Sequence, residues 1–352
     1  MNDNIYKQIS YSLMAQDASA IYKIVMEISR QKPHSASVLV LALFPYFTAC
    51  AEASIALMEK YGDDGQRFTI KSQFESVLVA TRNKTKLFRD KTKKNLNEIE
   101  KIREEQAKEF ISMLKFPFLK KIGCFYDLGT YTYHNKYIGN TFMYKWFFDE
   151  LEKTEVDNPY LDFSTGIGEW CMDIVNEINL YDIDGKYSFE YIGYKNFNIT
   201  LRSYELFLNN LDKGMQLYLF HIICSLNFVL YYLPSILNEE NALSIRIKYL
   251  VYYFGLSSLK SLCNYMEQNK FVPLEKIKLL IVNNDIYKSE FCNCMRHYEI
   301  TEKDMQLEDI KSDSQFFGLI EKYFKLEVSD FINVLNNNIK DMVTTVEHLV
   351  LI

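Results

Sequence analysis

Asn293 and His297 stand four apart in the run Phe-Cys-Asn-Cys-Met-Arg-His-Tyr, residues 291–298, with Arg296 and Tyr298 on either side of the histidine. Residues at that spacing share one face of a helix. There an amide, an imidazole and a guanidinium can converge on one anionic group. An imidazole near its unperturbed pKa exchanges protons close to neutrality, and a guanidinium binds phosphate through paired N–H donors. Cys292, Cys294 and His297 also crowd together as a potential metal set. Structural zinc needs four ligands at compatible spacing, and a single residue separates the two cysteines. We therefore expect no metal and no cofactor.

A second feature is electrostatic. Between Arg82 and Lys121 there are thirteen Lys and Arg against six Asp and Glu, although the chain as a whole carries a net charge of -6. Lys91, Lys93 and Lys94 are the densest part. They fit cations that follow a nucleic-acid backbone; the blander reading is a solvated helical arm. Glu169, Asp173 and Glu177 recur in helical steps, but no histidine lies near them in sequence, so they read as an exposed acidic face.

The elements that carry these residues are helices. Only 12 Gly and 6 Pro occur in 352 residues, whereas all-β chains need frequent turns. The apolar share of 48% suffices for substantial cores. Helical spacing predicts helices over about 4–31 and 36–61, the second kinked near Pro45. A long charged helix or helical hairpin follows, about 70–121, then an aromatic stretch over 116–140 that suits strands or loops equally. Further helices are expected over 141–152 and 167–178. A boundary near 190 divides an N-terminal helical region, 1–190, from a C-terminal bundle, 191–352. In that bundle 214–237 is very apolar. Gln216, His221 and Asn227 interrupt it and no basic flank follows, so it reads as a core helix rather than a membrane span. Helices over 241–268 and 329–349 complete the bundle.

Seven scattered cysteines suit a reducing compartment better than a disulfide framework. The N-terminus lacks the basic-then-apolar order of a signal peptide. Both point to the cytoplasm. Gly-rich phosphate loops, the G-x-S-x-G elbow and H-E-x-x-H are absent, which disfavours the common nucleotide hydrolases and metalloproteases.

In this setting the run 291–298 resembles the signature of the HEPN superfamily: an Arg, usually followed by Asn or another polar residue, with a His about a turn further on. Asn293, His297 and Tyr298 match a common bacterial form. Where the family has its Arg this chain has Cys292. The resemblance implies a C-terminal HEPN-like helical bundle in a mainly α protein. It also implies a metal-independent endoribonuclease of a bacterial toxin or phage-defence system. His297 would exchange protons at the reacting oxygens, Arg296 would take over the missing cation, and Asn293 would orient the phosphate or the imidazole. Cys292, Tyr298, Lys91, Lys93 and Lys94 would contact the RNA. Family members usually pair, so a homodimer with the two His297 side chains lining a shared cleft is expected. Members without the Arg act as binding modules. The alternative is thus a catalytically inactive HEPN-like scaffold that dimerises and binds nucleic acid or a partner protein such as an antitoxin.

Overall fold

The computed structural model describes residues 2–28, 30, 33–62, 69–89, 91–112, 126–178, 192–208, 210–269, 275–282 and 284–352. The protein is mainly helical, as composition and periodicity predict. In the N-terminal half lie α1 (Asn2–Ile28), α2 (Pro33–Lys60), α3 (Thr69–Lys84), α4 (Thr92–Ser112), α5 (Thr141–Phe148) and α6 (Pro159–Ile178). The C-terminal half holds α7 (Lys213–Asn227), α8 (Ala242–Gln268), α9 (Glu275–Val282), α10 (Ser289–Arg296), α11 (Leu319–Phe324) and α12 (Val328–Val350). Helix α2 continues through Pro45.

The aromatic stretch resolves into strands. β1 (Leu128–Tyr133) and β2 (Lys136–Asn140) form an antiparallel hairpin, and β3 (Gly193–Phe197) pairs antiparallel with β1, giving the order β2-β1-β3. His134 and Asn135 turn the hairpin with φ of 45° and 62°, the left-handed pair that matches strand twist. The sequence also suggests a turn at 62–65 and a short hairpin over 181–198; residues 63–65 and 181–191 of these fall outside the described residues.

Helices α1, α2, α3 and α6 pack on one another, and α7, α8, α9, α10 and α12 form a second group. The groups are joined along their length: α1 packs on α8, α2 on α10, and α4 on both α7 and α8. One continuous apolar core runs through both halves of the chain. Gly255 leaves room for its neighbours in the second group, since a Cβ there would sit 3.2 Å from the Met342 Cε. Among the described residues two segments, Ala36–Lys60 and Lys213–Ser235, are long and apolar enough to cross a membrane, and 83% of each apolar window is buried inside the fold. That burial accounts for their composition without a bilayer.

Of the long charged helix or helical hairpin expected over about 70–121, the described part is two helices and not one. Between α3 and α4 the chain turns at 85–91, with Leu87 and Lys91 in the left-handed region at φ 51° and 58°. No glycine or proline marks the break. The turn is held by α8 and α7 instead: from α8, Ser258 Oγ accepts from the Phe88 amide at 3.2 Å and Ser261 Oγ donates to the Arg89 carbonyl, and from α7 the Tyr218 hydroxyl donates to the Phe88 carbonyl at 3.1 Å. Phe88 itself is fully buried. Helix α4 is not a free arm either, because Leu96, Ile99, Ile102 and Gln106 are buried against the core.

Candidate active site at His297

Helix α10 is short and ends at Arg296, and a buried ion pair holds its end. Arg246, on α8, meets the Asp17 carboxylate of α1 at 2.5 Å, with both side chains almost fully buried. The same guanidinium donates to the Met295 carbonyl at 2.6 Å, one of the carbonyls a helix C-terminus leaves without an intrahelical donor. Burial drives the Asp17 carboxyl upward in pKa, while Arg246 and the Tyr298 hydroxyl pull it down. The Tyr298 hydroxyl donates to Asp17 at 2.9 Å, and Arg246 lies 4.8 Å from the Tyr298 ring centre. Beyond it, the Ile300 amide donates to Ser10 Oγ on α1 at 3.0 Å. Helix α1 thus fixes the segment after α10, and with it the direction in which His297 leaves the helix.

His297 is therefore not on the helical face with Asn293. It is the C-terminal cap, extended at φ -124° and ψ 147°, and its amide donates to the Asn293 carbonyl at 3.0 Å. The link between the two residues is made by backbone. The Asn293 side chain is exposed on α10. Cys292 and Tyr298, expected beside the substrate, point into the core at 2% exposure each. Burial pushes the Cys292 thiol up to about 12, so it is neutral. Cys294 is buried as well, near Asp304, and no metal-ligand cluster occurs among the described residues.

The residue that sequence reasoning missed is Arg82, near the end of α3. Its Nη2 lies 3.2 Å from His297 Nδ1 and 3.1 Å from Nε2. The lone-pair directions of the two ring nitrogens diverge, so one nitrogen at near-equal distance from both lies across the ring. Nη1 of the same guanidinium pairs with Glu52 on α2, the side chains being 20% and 17% exposed. Arg296 and Arg89 lie on the same aromatic ring, each 5.6 Å from the Phe254 centre. A small cavity, about 20 Å³, separates this cluster from Arg246 and Tyr298 beneath. Nothing in the local sequence around Arg82 signals the contact, which spans 215 residues. The one available hint was the local excess of basic residues.

The electrostatics follow from this packing. Burial, then Arg82 and Arg296, hold His297 down to about 4, with Glu299 opposing them weakly. The imidazole is neutral at pH 7 and has cations around it. Arg296 is itself lowered, by burial first and then by Arg82, with Arg89 adding to the effect. A site where cations depress one another's pKa favours an anion, which relieves the repulsion. Lys91, Lys93 and Lys94 do not reach His297; they line a separate open cleft with Arg89 at its edge. Glu169 and Asp173 are exposed, as expected of an acidic face.

Comparison of the chain with family models, with curated proteins and with solved structures finds no match.

Proposed function

We propose that the His297 cluster is the catalytic centre of a metal-independent endoribonuclease of HEPN type, working in a bacterial toxin or phage-defence system. The observation that carries this reading is the Arg82 guanidinium lying across the His297 ring, with Arg296 beside it. The family's cation is missing at Cys292, and Arg82 supplies one from the other half of the chain. A scissile phosphodiester would sit against Arg82 and Arg296. Its negative charge would offset theirs and raise the His297 pKa towards neutrality, where general base catalysis is most effective. His297 would take the proton from the 2′-hydroxyl, the 2′-oxygen would attack phosphorus, and His297 would hand that proton to the 5′-oxygen as its bond to phosphorus breaks. The two arginines would stabilise the charge of the phosphorane. The product is a 2′,3′-cyclic phosphate, formed without metal.

A two-fold dimer fits this reading, because a second copy would bring further cations to a centre that has one histidine. Light scattering at micromolar concentration tests it; a monomer argues against a shared cleft. A second functional reading has its own support. Cys292 is buried where the family has Arg, which favours an inactive scaffold that binds a partner protein or nucleic acid. Incubation of purified protein with total RNA in EDTA separates the two. Cleavage by the wild type and none by His297→Ala supports the enzyme; no cleavage of any RNA supports the scaffold.

A further inference from the structure

The cleft lined by Lys91, Lys93 and Lys94 has more than charge. It measures about 680 Å³ and lies between the start of α4 and the end of α8. That volume falls in the range of pockets that hold a small ligand, about 300–1,000 Å³. One wall is cationic. Among the described residues the three lysines have no carboxylate partner, and the first turn of α4 contains no acidic residue. Lysines at a helix N-terminus oppose the helix dipole and weaken the helix. Among the described residues no acidic group compensates for them here, and a bound anion would.

The opposite wall is of a different kind. Asn264, Tyr265 and Gln268 recur at helical spacing on α8 and face the lysines across the cleft. Asn264 and Gln268 are exposed and make no hydrogen bond among the described residues. Their amides offer both donors and acceptors, and Tyr265 offers a half-exposed ring. Phosphate needs only the cations. Amides beside an aromatic ring, set opposite a phosphate-binding wall, match a base joined to its phosphate by a sugar.

We infer that this cleft is a nucleotide-binding site, in which the three lysines hold a phosphate, Tyr265 stacks on the base, and Asn264 and Gln268 bond its edge. The nucleotide has two sources: a free mononucleotide, or one unpaired unit of an RNA strand that continues towards His297. Arg89 connects the two places, since it lines this cleft and shares the Phe254 ring with Arg296. The strand source rests on the reading of His297 as a ribonuclease centre; the pocket itself does not. A base held on Tyr265 must be unstacked from its neighbours, so duplex RNA is excluded from the site.

Calorimetric titration of the full chain tests this, with inorganic phosphate, the four 5′-mononucleotides, a single-stranded tetranucleotide and a short duplex as probes. At least one mononucleotide or the tetranucleotide should bind tenfold or more tightly than phosphate. Tyr265→Ala should weaken that binding by roughly tenfold, and Tyr265→Phe should retain it. Asn264→Ala, on the surface, should change the preference among bases. Binding of mononucleotides assigns a free ligand, and binding of the tetranucleotide alone assigns the strand. Phosphate bound as tightly as any nucleotide, duplex bound as tightly as single strand, or indifference to both Tyr265→Ala and Asn264→Ala would overturn the inference. RNA cleavage without nucleotide binding would sink the pocket and leave the His297 centre standing. Nucleotide binding without cleavage would do the reverse.

Discussion

The Asp17–Arg246 pair gives the sharpest test of how the site is positioned. Both side chains are buried, the contact is 2.5 Å, and the guanidinium also serves the Met295 carbonyl at 2.6 Å. Removing one partner of a buried pair strands the other charge, at about 3–5 kcal/mol. Asp17→Leu should therefore destabilise by that amount. Arg246→Met also leaves the Met295 carbonyl without its donor, a further ~1–3 kcal/mol, so a total of about 4–8 kcal/mol is expected. This is a large share of the roughly 5–15 kcal/mol that holds a typical domain together. The double variant strands no charge and should fall short of additivity by about 2–3 kcal/mol. Equilibrium urea unfolding followed by circular dichroism measures all four proteins. Native-state amide exchange should show faster opening at 294–298 in Arg246→Met than in the wild type. Single variants costing less than about 1 kcal/mol, or costs that simply add, would refute the claim that this pair anchors the end of α10.

Acid should destabilise the protein through its depressed histidines. His221 is fully buried among the rings of Phe88, Phe142 and Phe147, and burial lowers it to about 3. Between that value and its unfolded pKa near 6.5, the unfolded chain binds the extra proton. Stability is therefore lost as pH falls through this window, by about 3 kcal/mol at pH 4. His297, held down to about 4, acts in the same direction. The gap between urea midpoints at pH 7 and pH 4 should narrow in His221→Phe, leaving the share due to His297; an undiminished acid loss in that variant would contradict the assignment. Cys292→Arg places a charge in the core beside Arg296 and Arg89, and should destabilise by about 3 kcal/mol or more without gaining RNA cleavage. A stable and more active Cys292→Arg protein would show that the position opens to the phosphate.

Much of the fold is written in spacing. The stripe of Phe331, Leu335, Ile339, Met342, Val346 and Leu349 predicts α12; the first five are buried and Leu349 is half-buried. Asn241 predicts the start of α8 and caps it, its side chain accepting from the Leu243 amide. The break at 85–91 was not legible, because its cause lies in Ser258 and Ser261 on α8 and in no residue of the turn itself. The hairpin was ambiguous because tyrosines suit strand and loop alike and the turn residues are His134 and Asn135, not glycines. At the candidate site, the run 291–298 drew attention to the histidine that Arg82 meets. Spacing alone placed Asn293, Arg296 and His297 on one helical face, whereas Arg246 stops the helix at Arg296. Arg82 was out of reach for the same reason as the turn: it meets His297 only through tertiary packing.

The central claim is that Arg82 and His297, from opposite halves of the chain, make one ribonuclease centre. The most direct measurement is the rate of RNA cleavage in EDTA by the wild type, His297→Ala, Arg82→Ala and Arg82→Lys, with product ends analysed. We predict cyclic phosphate ends from the wild type and none from His297→Ala. Arg82→Ala should lose about 10²-fold or more, the cost of removing one donor to a developing oxyanion, and Arg82→Lys should recover part of it. Full activity in Arg82→Ala, or a wild-type cleavage that EDTA abolishes, would contradict the account.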